Sequence, residues 1–218
     1  MKRLIAVGDI HGCYDRLCKL LRIIKLKPED TLVFLGDYID RGFQSKEVVS
    51  KLIELNKRKN VICLKGNHEQ MLIDFLNNGP TAEDYLVNGG RATLDSYRGQ
   101  PSEEHLSFLK SLPLYYESGR FVFVHAGVIP GIPLEEQDCY DLVWVREEFL
   151  EAPAPVIPGK VVVFGHTIVG AYAPWIESDR IGLDTGAFLG GCLTAMDVLS
   201  GDVYQVPFEK EGREWENC

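Results

Sequence analysis

No stretch of the 218-residue chain approaches the roughly 18 consecutive apolar residues that a membrane-spanning helix needs. Behind Met1-Lys2-Arg3 the apolar run covers only Leu4-Ile5-Ala6-Val7 before Gly8-Asp9 ends it, too short for the core of a secretion signal. These absences predict a cytoplasmic protein with no membrane partner. Positive charge is in deficit as well: 23 Lys and Arg against 32 Asp and Glu give a net charge of -9. An acidic surface repels phosphate backbones, which argues against nucleic acid as a partner. A phosphate site would need its own local positive charge, from metals or placed arginines. The six cysteines (Cys13, Cys18, Cys63, Cys139, Cys192 and Cys218) contain no CxxC pair, so free thiols in a reducing compartment are expected. Neither Cys13 nor Cys63 has a dedicated base beside it in sequence, and no cysteine nucleophile is expected. There is no internal repeat and no low-complexity tract, and residues 1–218 suit one domain.

What the chain does have is a recurring grammar. A short β-branched and aromatic run ends, a glycine or turn follows, and polar residues gather there. Leu4-Val7 leads into Gly8-Asp9-Ile10-His11-Gly12, and Thr31-Leu35 into Gly36-Asp37-Tyr38-Ile39-Asp40-Arg41-Gly42. Val61-Leu64 leads into Lys65-Gly66-Asn67-His68-Glu69, Phe121-Val124 into His125-Ala126-Gly127, and Val161-Phe164 into Gly165-His166-Thr167. Each run is apolar nearly throughout, as a strand buried on both faces requires. Helical periodicity fills the gaps over Tyr14 to Leu26, Lys46 to Lys59 and Glu69 to Leu76, which predicts a parallel α/β core. Residues 78–118 read as a solvated helical cap, Glu151 to Pro158 as a Pro-rich surface loop, and Ser200-Gly201-Asp202 as a hairpin turn between two late strands.

In open α/β sheets ligands bind beyond the carboxyl ends of the strands, where all five polar clusters fall. They bring together Asp9, His11, Asp37, Asp40, Asn67, His68, His125 and His166. Taken singly, each has a bland reading: an Asp after a strand is usually a turn or cap residue, and a lone His is usually structural. As a set they resist it, because four of the five histidines stand at strand ends with acids or an amide beside several of them. The mixture lacks thiolates and is rich in imidazole, which suits manganese, iron or zinc better than calcium or magnesium. Two such ions roughly 3.5–4 Å apart can acidify a water and clamp a phosphoryl group. Arg41, next to Asp40, can bind two phosphate oxygens at once. On charge pattern alone Arg146 is as well explained by an amphipathic surface near a helix start.

Read together and in order, these blocks resemble the phosphoprotein phosphatase family of calcineurin-like metallophosphoesterases, and its small bacterial and phage-type members in particular. Asn67-His68-Glu69-Gln70-Met71-Leu72, Asn88-Gly89-Gly90 and Asp184-Thr185-Gly186-Ala187 look like that branch. The resemblance implies a four-layer α/β fold, two mixed β-sheets in a sandwich flanked by helices. It implies that Asp9, His11 and Asp37 hold one divalent ion and that Asp37, Asn67, His125 and His166 hold a second, manganese first, with iron or zinc as alternatives. It further implies His68 as proton donor to the leaving oxygen, Asp40 as its partner, and Arg41 and Arg146 as phosphate ligands. Attack would come directly from a hydroxide bridging the ions, without a phosphoenzyme.

The implied substrate is a phosphorylated protein or small phosphoester, with a serine/threonine protein phosphatase preferred and a bis(5'-nucleosyl)-tetraphosphatase as the alternative. Glu69 after Asn67-His68 decides that preference, since the dinucleotide enzymes of similar pattern tend to carry Asp there. Shorter than the eukaryotic catalytic subunits, the chain is expected to act without regulatory subunits. A non-catalytic binding module is disfavoured because no ligand and no acid is missing.

Overall fold

The computed structural model describes residues 2–208, so Cys218 lies outside the described residues. One sheet contains β1 (Leu4–Val7), β2 (Thr31–Phe34), β3 (Val61–Cys63), β9 (Cys192–Asp197) and β10 (Val203–Pro207), in the order β10-β9-β1-β2-β3. β4 (Tyr115–Ser118), β5 (Phe121–Val124), β6 (Val161–Phe164), β7 (Trp175–Ile176) and β8 (Arg180–Gly182) form the other, in the order β4-β5-β6-β8-β7. The parallel core read from the strand-helix alternation is present as β1-β2-β3, with β5-β6-β8 parallel as well. Antiparallel pairs at β9, β10, β4 and β7 make both sheets mixed, as the resemblance implied.

Period-two alternation explains why the sheets stack. In β1, Leu4 and Ala6 face the core between the sheets, while Ile5 and Val7 face the helices. β2 follows suit: Val33 faces inward between the sheets, Leu32 and Phe34 outward. Phe121 and Phe123 of β5 and Val163 of β6 complete the middle layer, while Val124, Val162 and Phe164 face the far side. Each fully buried Leu, Ile, Val or Phe among these contributes roughly 1.5–3 kcal/mol.

Helix α1 (Tyr14–Ile24) buries Leu17, Cys18, Leu20 and Ile24, and ends at left-handed Lys25, whose N–H closes on Leu21 O. α2 (Ser45–Asn56) and α3 (Asn67–Asn77) cover the same sheet. α4 (Arg91–Tyr97) packs on α2, and α5 (Glu103–Ser111) on both α2 and α3. Beyond the second sheet lie the short helices α6 (Asp141–Trp144) and α7 (Glu147–Leu150). Buried Arg180 ties α7 down by donating to Phe149 O at 2.6 Å and Leu150 O at 3.2 Å. The expectation of helix throughout 78–118 is corrected at its end: Tyr115–Ser118 is β4, an edge strand only half buried.

Candidate active site

The carboxyl ends of β1, β2, β3, β5 and β6 open on one rim where the two sheets meet. Asp9 and His11 follow β1, and Asp37, Asp40 and Arg41 follow β2. Asn67 and His68 begin α3 just past β3, His125 follows β5, and His166 follows β6. Backbone hydrogen bonds lock these loops together: Ile10 N and His11 N both donate to Asp37 O, and Gly165 N donates to His125 O. His11, Asp37, Asp40, Arg41 and His166 all have left-handed backbones, with φ of 45°, 51°, 69°, 67° and 60°. Non-glycine residues seldom sit there, and strain of this kind collects where side chains must be aimed.

Beneath the rim, fully buried Glu69 organises the turn. Its Oε2 accepts from Asp37 N and Gly66 N, each at 2.9 Å, and its Oε1 from Tyr38 N at 2.8 Å. Gly66 is required for close approach, because a Cβ there would stand 2.2 Å from Asp37 Oδ1. Glu69 thus holds backbone and faces no substrate, so the structure gives it no means of distinguishing a phosphoprotein from a dinucleotide.

Asp37 is the centre. His11 Nε2 lies 3.5 Å and His68 Nε2 3.8 Å from its Oδ2, while His125 Nε2 lies 3.3 Å from its Oδ1. The tautomers follow from the opposite ring nitrogens. His11 Nδ1 faces Ile39 O at 3.0 Å and His125 Nδ1 faces Leu35 O at 2.8 Å. A carbonyl only accepts, so both Nδ1 atoms carry the proton and both Nε2 atoms present bare lone pairs to Asp37. The inward end of the Asn67 amide lies 3.2 and 3.3 Å from the two Asp37 oxygens, 2.9 Å from His125 Nε2 and 3.1 Å from His166 Nδ1. Only an NH₂ suits that company of acceptors, unless a cation shares the space and lets the carbonyl turn in. Two groups have the donor set and spacing for an ion: His11, Asp37 and His68, and Asp37, His125 and His166. Asp37 belongs to both. The residues present therefore fit a pair of divalent ions.

Asp9, expected among the ligands, is in neither group, and its two oxygens are each 3.1 Å from His166 N, whereas His68, expected as the acid, stands in the first. Arg41 lies across the mouth, donating to His11 Nε2 at 3.0 Å and His68 Nε2 at 3.1 Å. Arg146 approaches from the second sheet, with Nη1 donating to Thr167 Oγ1 at 2.8 Å. His105 is elsewhere, beside Tyr97 and Ser50.

Burial governs the electrostatics. It raises Asp9, helped by the charges of Asp184 and Asp37, and it raises Asp37, helped by Glu69. Burial pushes His125 down to about 3, and lowers His11 and His166 as well. Acids resisting ionisation beside unprotonated imidazoles leave the site poor in cations, and a bound dication would reverse the acid shifts. Adding manganese to chelator-stripped protein is therefore expected to raise its thermal midpoint by roughly 5–10 °C at about a hundredfold excess over Kd, and calcium by less. Differential scanning fluorimetry checks this, and equal effects of the two ions would count against an imidazole-lined site.

A model of the calcineurin-like phosphoesterase family matches residues 2–182. The chain belongs to that family. It is accordingly a metal-dependent phosphatase, and the geometry of its rim agrees with that assignment. Over 198 residues it is 31% identical to serine/threonine-protein phosphatase 1 of Salmonella typhimurium, covering 86% of this chain and 88% of that one. Over 231 residues it is 29% identical to the asymmetrical bis(5'-nucleosyl)-tetraphosphatase PrpE of a Geobacillus species, covering 92% of each. A crystal structure of a protein taken to be a diadenosine tetraphosphatase superposes with a TM-score of 0.74 at 27% identity, covering 96% of this phosphoesterase and 95% of that chain. No helix among the described residues is long and apolar enough to cross a membrane.

Asp184 entered the sequence reading only as part of a family-like motif, with no role at the site. It is buried past the end of β8, and its charge is the nearest to Asp9 in effect. The strand-end grammar, applied to Ile181-Asp184, would have placed it with the other rim acids.

Proposed function

We propose that the chain hydrolyses phosphomonoesters with a pair of divalent ions, manganese first, and acts on phosphoserine or phosphothreonine in proteins. On this reading Asp9, His11, Asp37, Asn67, His125 and His166 hold the ions, Arg41 and Arg146 bind phosphate oxygens, and His68 paired with Asp40 is the acid. It works as one catalytic domain in the cytoplasm, without regulatory subunits.

The observation that carries the substrate class is the acid pair. His68 Nδ1 lies 2.7 Å from Asp40 Oδ2, and both groups are buried. Burial raises Asp40 to about 7 and, with the Arg41 charge, lowers His68 to about 3, so both shifts suppress charge within the pair. A phosphate that neutralises Arg41 removes one of the influences that lower His68. When bound, the ions supply Lewis-acid charge and an acidified water. As water oxygen bonds to phosphorus, the bond to the ester oxygen breaks and its electron pair stays on that oxygen, which takes a proton from His68 Nε2, a nitrogen that must first be released from Arg41 by the phosphate and protonated opposite Asp40. Serine and threonine alkoxides need that proton, whereas a nucleotide leaving on a phosphate oxygen needs it far less. An elaborate acid pair therefore supports an alkyl ester.

The second reading, a bis(5'-nucleosyl)-tetraphosphatase, is supported by the relative of that name that matches over 92% of this chain. The test is chelator-stripped protein restored with manganese, given a phosphoserine peptide or diadenosine tetraphosphate. Hydrolysis of the peptide alone is the expected result. Preference for the dinucleotide by orders of magnitude would keep the mechanism and overturn the substrate.

A further inference from the structure

Asp40 and Arg41 are consecutive left-handed residues, and both are held from behind by one stretch of chain about fifty residues further on. Asp40 N donates to Thr93 Oγ1 at 2.8 Å and to Ser45 Oγ at 3.1 Å. Arg41 N donates to Gly89 O at 3.2 Å. Gly89 itself has φ of 100°, and a Cβ there would stand 2.9 Å from Arg41 Cγ, so only glycine lets the two segments meet this closely.

Thr93 does more than support the backbone. It is the buried residue of α4, in a helix whose other members are at least partly exposed. Its Oγ1 lies 2.6 Å from Asp40 Oδ1 and 3.0 Å from Ser45 Oγ. A carboxylate only accepts, so the single hydroxyl proton goes to Asp40, and the hydroxyl oxygen remains free to accept from Asp40 N. One hydroxyl thereby grips both the main chain and the carboxylate of Asp40, while the other carboxylate oxygen holds His68 Nδ1. Nothing in the local sequence of α4 requires a buried hydroxyl. Valine would fill the same space and leave Asp40 Oδ1 without this donor.

We propose that Thr93, backed by Ser45, is a positioning residue for the leaving-group acid: it fixes the Asp40 carboxylate so that the imidazole of His68 is held toward the ester oxygen. This rests on the phosphoesterase reading with His68 as the acid. A merely structural role would weaken the enzyme toward every substrate alike. A positioning role weakens it only where the leaving oxygen needs a proton.

The experiment uses the manganese-loaded full chain and two small esters. The phenolate leaving phenyl phosphate is a poor leaving group that benefits from protonation, whereas 2,4-dinitrophenyl phosphate releases a stable anion. With Thr93→Val, kcat for phenyl phosphate is expected to fall roughly 10–100-fold, part of the roughly 10²–10⁴-fold that acid catalysis supplies, while kcat for the dinitrophenyl ester stays within about threefold. Thr93→Ser should restore most of the loss, and Thr93→Val should add nothing in a His68→Asn background. Equal falls on both esters, no fall on either, or a further loss beyond His68→Asn would overturn the proposal. If Thr93→Val does not fold, Thr93→Cys keeps the size with a much weaker donor and is judged by the same outcomes. Wild-type protein inert toward both esters with every divalent ion would overturn the phosphoesterase reading too, whereas parallel losses in an active enzyme sink this inference alone.

Discussion

Turnover of every phosphoester is expected to fall by roughly 10³-fold or more in Asp37→Asn, the scale seen when one member of a catalytic unit is removed. The substitution barely changes shape. Asparagine keeps an oxygen for His68 N, which now donates to Asp37 Oδ1 at 3.1 Å. Its amide nitrogen would face the bare Nε2 of His11, which lies 3.5 Å from Oδ2. What disappears is the negative charge that both ion groups share. That charge is costly without metal, since burial and Glu69 both oppose it. Stripped Asp37→Asn should therefore melt at or above the stripped wild type, yet gain nothing from manganese. Activity within tenfold of wild type, measured on metal-loaded protein, would place Asp37 outside the reacting centre.

Glu69→Ala should be the most destabilising single change at the rim. Three N–H groups, of Asp37, Tyr38 and Gly66, converge on that one carboxylate. An unsatisfied buried donor costs about 1–3 kcal/mol, so a loss of at least about 3 kcal/mol is expected from urea denaturation of stripped protein. Glu69→Gln should fall between, because its amide nitrogen must face at least one of the three donors. A loss below about 1 kcal/mol for the alanine variant would mean that water or a backbone shift satisfies those groups.

The candidate site was readable from sequence to the extent that it is built at strand ends. Asp9, His11, Asp37, Asn67, His125 and His166 each follow an apolar run within a few residues, so local pattern alone brings them to one rim. The second sheet was not readable that way. Only its resemblance to a known fold separated β5 and β6 from the strands that they follow, because buried strands of both sheets look alike. β4 escaped because Tyr115-Tyr116-Glu117-Ser118 is a half-exposed edge with no clean alternation. Thr93 left no local trace either: its role is set by a carboxylate 53 positions away, and nothing in the sequence around it marks a buried hydroxyl. Glu69 was legible only as a mark of family pattern, because the backbone groups of Asp37 and Tyr38 that it holds lie 32 and 31 positions away.

The order β10-β9-β1-β2-β3 has a consequence for synthesis on the ribosome. β1 pairs with β2 early in the chain, but its other edge waits for Ala195, Met196 and Asp197. A nascent chain thus carries an open edge on β1 until residues 192–207 emerge, and only then does the sheet gain β9 and β10. Open edges invite pairing with other chains, and contacts this remote in sequence form slowly. Truncation before the final hairpin is the kind of error this molecule is least equipped to survive.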